Sequence, residues 1–234
     1  MKNYLPSITV AAFLGSLHLA GAADITGKVT LKGTPPPERT IEFTDATCGK
    51  LHPKPVTTRH YVVGADKGLA NVFVYIKQGA QKTPAAGEGP LLDQVGCMYE
   101  PYVMGVVTGQ KFNIRNSDAL LHNVHATPKP GSGNKEFNFA QVSKGQVNPK
   151  SFDAPEVLVR MKCDVHGWMF AYIGVVDHPY FAVTDKDGNF TIKNVPAGKY
   201  TVEAVHQKAA PTGKTAEVEA GKSVNFEIEV PAAQ

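Results

Sequence analysis

The sequence predicts an all-β protein assembled from β-sandwiches. Three observations carry that prediction. Apolar and polar residues alternate with period two in several short runs, as in half-buried strands. Gly (22) and Pro (17) together supply about one residue in six, above the usual roughly 12%, so turns must be frequent and strands short. No amphipathic pattern of helical period is long enough to make a stable helix. Hydrophobic residues form 42% of the 234 and charged residues 19%. That is the balance of a packed protein rather than a disordered one.

The elements follow in chain order. Ile25, Gly27, Val29 and Leu31 alternate with Thr26, Lys28 and Thr30, which makes a strand. Gly33 to Pro37 ends it. Leu69 to Lys77 sets Val72, Val74 and Ile76 on one face and forms a second strand. Gln78 to Pro90 is rich in Gly, Ala and Pro and reads as an exposed connection. Val103 to Val107 and Lys111 to Arg115 flank a Thr108-Gly109-Gln110 turn. Thr127 to Asn134 holds two prolines and two glycines and is a loop. Phe152 to Cys163 is a strand with Val157, Val159, Met161 and Cys163 on one face. Phe181 to Thr184 and Phe190 to Ile192, joined through Asp185 to Gly188, read as a β-hairpin. Asp185, Asp187 and Asn189 resemble a calcium loop, but Gly188 comes two places too early for an EF-hand. A Val195-Pro196-Ala197-Gly198 turn precedes Tyr200 to Val205. Val218 and Val224 to Val230 supply the last strands.

The first residues predict the compartment. Lys2 precedes an apolar run from Ile8 to Ala20, and small residues from Ala20 to Ala23 follow. This is the layout of a secretory signal peptide over residues 1–23, cleaved near Ala22 or Ala23. The run is too short to span a bilayer comfortably, and no second stretch approaches that length. A periplasmic or secreted protein with no membrane span is expected. The formal charge of +3 is small, and its Lys and Arg are scattered, which argues against a nucleic-acid partner. Three cysteines cannot all pair within one chain. In an oxidising compartment Cys48 and Cys97 are the natural disulfide, with free thiols or a bridge between chains as alternatives.

Two segments concentrate the chemistry. One is Leu121-His122-Asn123-Val124-His125, after Ile114-Arg115-Asn116-Ser117-Asp118. The other runs Met161-Lys162-Cys163-Asp164-Val165-His166-Gly167-Trp168-Met169. Cys163 ends its strand with the sulfur toward the core, and the chain must turn at once to return His166 and Met169. With His122 the set is two imidazoles, one thiolate and one thioether. Structural zinc sites use four Cys or His ligands. Two nitrogens and a thiolate with a weak axial Met match a blue-copper electron-transfer site. His125, three residues from His122 on a strand, should face the opposite way and be structural or surface. No Gly-x-Ser-x-Gly elbow occurs, so a serine hydrolase is a poor fit.

His122-Asn123 together with Cys163-x-x-His166-x-x-Met169 resembles the cupredoxin family, with a short loop similar to that of amicyanin. The resemblance covers roughly Leu91 to Asp177. It implies a Greek-key β-sandwich over residues 91–177 that holds one copper ion through His122, Cys163, His166 and Met169. It also implies that Asn123 braces the ligand loop. Cupredoxins often carry Pro where this chain has Val165, which restores an N–H near the sulfur. A second resemblance joins Phe181 to Phe190 and Val195 to Tyr200 to the carboxypeptidase regulatory-like domain, a small transthyretin-like β-sandwich, over residues 178–234. Members of that family often begin with a strand like Ile25 to Val29. Residues 24–90 are therefore either a separate N-terminal β segment or part of the second sandwich, with the copper domain inserted.

A four-ligand copper without an open position takes no substrate, so no enzymatic activity is expected. The expected function is single-electron transfer with a redox protein partner such as a cytochrome or a dehydrogenase. His166, on an exposed loop, is the expected electron exit. The alternatives are copper delivery, storage or sensing, and a structural or adhesion module with a vestigial copper fold.

Overall fold

The computed structural model describes residues 21–232. The expected signal peptide lies outside them, save its last three residues. The described chain is all-β. Its strands are β1 (Ala23–Lys32), β2 (Phe73–Gln78), β3 (Leu91–Val95), β4 (Met98–Glu100), β5 (Val103–Val107), β6 (Phe112–Asn116), β7 (His122–Thr127) and β8 (Phe137–Gln141). They continue as β9 (Val147–Lys150), β10 (Glu156–Lys162), β11 (Phe170–Val176), β12 (Phe181–Val183), β13 (Asn189–Val195), β14 (Lys199–His206), β15 (Ala210–Glu219) and β16 (Phe226–Glu229). A short helix, α1 (Ala46–Lys50), and a single 3-10 turn at Ala65–Lys67 interrupt the segment between β1 and β2.

The strands form two sandwiches. The inserted one packs the sheet β5-β11-β10-β7-β8 on the sheet β4-β3-β6-β9. The outer one packs β13-β1-β16 on β12-β2-β14-β15. The N-terminal strands β1 and β2 therefore complete the C-terminal sandwich, and the segment with the ligand motif is threaded between β2 and β12. Each sandwich has its own apolar core. Ile25, Val29, Val74, Ile76 and Ile192 fill the outer one, and Leu92, Ile114, Val124, Met161 and Ile173 the inner one. Burying each such side chain stabilises by roughly 1.5–3 kcal/mol.

Phe73 joins the two sandwiches. It is fully buried with Tyr102, Val103 and Val176. Its ring lies on a bare patch where Gly174 pairs with Gly105 across β11 and β5. A Cβ at Gly174 would meet that ring at 2.4 Å, and one at Gly105 would meet Phe181 at 2.3 Å. Only glycine allows this approach.

Two expectations change. The predicted hairpin is not one: β12 pairs with β2, and β13 with β1. Asp185 does close the turn, accepting from the Asp187 and Asn189 N–H groups at 2.9 Å. The two strands then diverge into opposite sheets, because each is needed to cover the core from its own side. The alternation expected from Val157 also slips. Leu158 takes a positive φ of 62°, and the register shifts between Glu156 and Val159. This bulge turns Glu156 inward and restores the expected phase from Val159 onward.

Candidate metal centre

Strands β7 and β10 are antiparallel neighbours, with His125 opposite Lys162. That register puts the first residue of β7, His122, at the same edge as Cys163, which follows β10. The β10–β11 loop is closed by two backbone bonds. The Cys163 N–H donates to the Met169 carbonyl at 3.0 Å, and the Met169 N–H to the His166 carbonyl at 2.9 Å. Three residues with soft or nitrogen donors are thus folded onto one point.

His122, Cys163 and His166 place their donor atoms within 4.8 Å of one another. His122 Nδ1 lies 3.1 Å from His166 Nδ1, and Cys163 Sγ lies 3.7 Å from the same nitrogen. The three are 0%, 3% and 2% exposed. Met169 is 1% exposed and packs in the same cluster as Cys163. His122 Nε2 donates to the Asp118 carboxylate at 2.8 Å. The carboxylate only accepts, so it fixes the proton on Nε2 and turns the Nδ1 lone pair toward His166. His166 keeps its Nε2 toward Asp45, 3.8 Å from the carboxylate. In the metal-free protein the His166 Nδ1–H donates to the His122 lone pair at 3.1 Å, and a metal ion would take the place of the shared proton. With a thiol alongside, this donor set fits a soft or borderline metal ion.

The surroundings shift the three donors in different directions. Burial acts to raise the Cys163 thiol, but bonding to His122 and to the N–H groups of Asn123, His166 and Val165 outweighs it and lowers the pKa. The Asn123 N–H is 3.3 Å from the sulfur and the His166 N–H 3.4 Å. Burial opposes charge on His122, yet Asp118 and Cys163 raise its pKa above the ordinary value. Burial and the neighbouring His122 hold His166 below it. Burial acts to raise the Asp118 carboxyl, but His122 and the N–H groups of Cys97 and Gly96 bring it below the usual range.

Asn123 ties the loop to β8. Its Oδ1 accepts from the Asp164 N–H at 3.0 Å, and its Nδ2 donates to the Phe139 carbonyl at 3.3 Å. His125 lies on the other face, between Asp164 at 2.7 Å and Glu136 at 2.6 Å. Val165 is 55% exposed at the loop tip.

His166 differs from expectation: it is covered. Cys48 and Cys97 form a disulfide that fastens α1 over the ligand loop, with Cys48 Sγ 3.7 Å from His166 Nε2. Asp45 caps α1, accepting from the Thr47 and Cys48 N–H groups. Phe43 stacks on His52 at 4.8 Å and meets Trp168 edge-on at 5.2 Å. Trp168 donates to the Cys97 carbonyl at 3.0 Å, and its ring lies 5.2 Å from that of His166. The sequence reading missed both Asp118 and this cover. The only signal for Asp118 is a carboxylate four residues before His122. The cover comes from more than a hundred residues away and has no local signal.

No family model matches the chain, and no curated protein does. It is similar to solved structures. One is the purple cupredoxin of Nitrosopumilus maritimus, 18% identical, covering 37% of this chain and 99% of that one, with a TM-score of 0.32. Another is a Cu(I) amicyanin mutant, 20% identical, covering 44% and 97%, with a TM-score of 0.33. A third is the Cu-containing nitrite reductase of Thermus scotoductus, 18% identical, covering 44% and 25%, with a TM-score of 0.35. Cupredoxins are thus among the structural neighbours of the chain.

Proposed function

We propose that the chain holds one copper ion through His122, Cys163, His166 and Met169 and passes single electrons between redox proteins outside the cytoplasm. Copper supplies the one-electron couple between Cu(I) and Cu(II). The observation that carries the reading is the meeting of two Nδ1 atoms and the Cys163 sulfur in one buried cluster. Asp118 and Asn123 hold the donors in place, which limits rearrangement between oxidation states. The N–H groups at the sulfur stabilise negative charge there and so favour the reduced ion. With His166 covered, Trp168, half-buried against it, is the open route for the electron. Its partners would be a cytochrome or a dehydrogenase, and the metal itself would catalyse nothing.

The test is optical. Purified protein with Cu(II) should develop an intense visible band from thiolate-to-copper charge transfer, bleached by ascorbate and absent in Cys163→Ser. A colourless complex with intact Cys163 would overturn the reading. The disulfide-fastened cover over His166 favours copper storage as the second reading. Slow copper release together with slow electron exchange would select it, and rapid release would point to delivery instead.

A further inference from the structure

A cavity of about 380 Å³ opens between the two sandwiches, next to Gly167 and Trp168 of the ligand loop. Four cationic side chains line it: Arg39, Arg59, Arg160 and Lys208. They come from three parts of the chain, the β1–β2 connection, β10 and the β14–β15 turn. Of these, only Arg59 has an ion pair among the described residues, with Glu100. The other nearby carboxylate, Glu38, is taken up by Thr58 and by the His60 and Tyr61 N–H groups. Four positive charges against two negative ones leave an excess of two. Like charges converging on one concavity repel, and a bound anion relieves that repulsion.

The walls restrict the class of anion. Tyr102, Trp168, Phe170 and Tyr172 give the cavity an aromatic side. Arg59 lies 4.7 Å above the Tyr102 ring and Arg160 5.6 Å from the Phe170 ring. Arg59 spends its N–H groups on Glu100 and on the Tyr99 carbonyl, whereas the Arg160 guanidinium beside the Phe170 ring keeps an N–H edge for a bidentate carboxylate. The volume suits a small organic ligand. We propose that this cavity binds a small aromatic carboxylate, with its acid group on Arg39, Arg160 and Lys208 and its ring on the aromatic wall. The proposal does not depend on the metal reading, because none of these residues is a proposed ligand.

Trp168 is the only tryptophan, so all tryptophan fluorescence comes from the cavity wall. The full chain, free of metal and with its disulfide intact, is titrated with benzoate, followed by fluorescence and by calorimetry. Neutral benzamide and inorganic phosphate serve as comparators. Saturable benzoate binding is expected, with benzamide and phosphate each at least about tenfold weaker. Arg160→Gln and Lys208→Gln alter exposed side chains and should leave the circular dichroism unchanged. Together they should weaken benzoate binding more than about tenfold. Absence of saturable binding by both readouts, benzamide or phosphate binding as tightly as benzoate, or a folded double variant that binds like the parent would overturn the proposal.

Discussion

The two sandwiches pack by the same rule and differ in how they bury polar groups. In the outer one, buried polar side chains occur singly. Glu203 meets Lys77 at 2.7 Å, Thr184 donates to the Leu69 carbonyl at 2.7 Å, and His206 accepts from the Ala209 N–H at 3.0 Å. In the inserted one they form a chain. Gln94 donates to Gln141, the Asn116 side chain to the Gln141 carbonyl at 3.1 Å, the Asp118 N–H to Asn116 at 2.9 Å, and His122 to Asp118 at 2.8 Å. Isolated buried polar groups serve local turns and strands. A connected line of them fixes the position of one imidazole, that of His122, with little freedom left. The inner sandwich gives up apolar contact at one end in order to aim a side chain.

That contrast can be broken by removing what only the inner sandwich has. The disulfide closes a separation of 49 residues. Cys48→Ala with Cys97→Ala should lower stability by about 4 kcal/mol in chemical denaturation. The loss should appear in Trp168 fluorescence, the visible copper band should survive, and copper exchange should speed up as His166 is uncovered. Unchanged exchange would mean that α1 is held by packing alone. Asp118→Ala leaves His122 without its partner and two backbone N–H groups without an acceptor. It should cost about 3–4 kcal/mol and lower copper affinity about 10- to 100-fold, measured by competition with a chelator.

The outer sandwich has its own sensitive group. Burial holds the pKa of His206 down to about 4, with His60 adding to the effect. The unfolded chain takes that proton near pH 6.5, so between about pH 6.5 and pH 4 the unfolded state binds more protons. Stability therefore falls as pH falls through that window, by up to about 3 kcal/mol. His206→Asn, which keeps an acceptor for the Ala209 N–H, should flatten the acid limb of a stability-against-pH curve. A limb of unchanged slope would place the acid sensitivity elsewhere. The smallest effect tests the joint. Gly174→Ala drives a methyl into the Phe73 ring and should cost about 2 kcal/mol, read as a lower thermal midpoint with the copper band retained.

The donor set was legible because it is local. Cys163, His166 and Met169 sit at a fixed spacing behind a strand whose period points the sulfur inward. The turn at Asp185 was legible too, since its side chain bonds within five residues. Strand pairing was not. Nothing in Phe181 to Ile192 says that β12 and β13 part company, because that choice is made by β1 and β2, more than a hundred residues earlier. The cover over His166 escaped for the same reason. Its Asp45, Phe43 and His52 carry no motif, and their role exists only once the disulfide brings them to the ligand loop.

Strands β1 and β16 run parallel in one sheet, with Val29 beside Phe226 and Leu31 beside Ile228. A pull applied at Ala23 and Glu229 would therefore be borne in shear by the outer sandwich. The inserted sandwich hangs from β2 and β12, which lie side by side, so it stands off the line of that force. Tension along the chain would reach His122 and the Cys163–Met169 loop only after the outer ladder had torn.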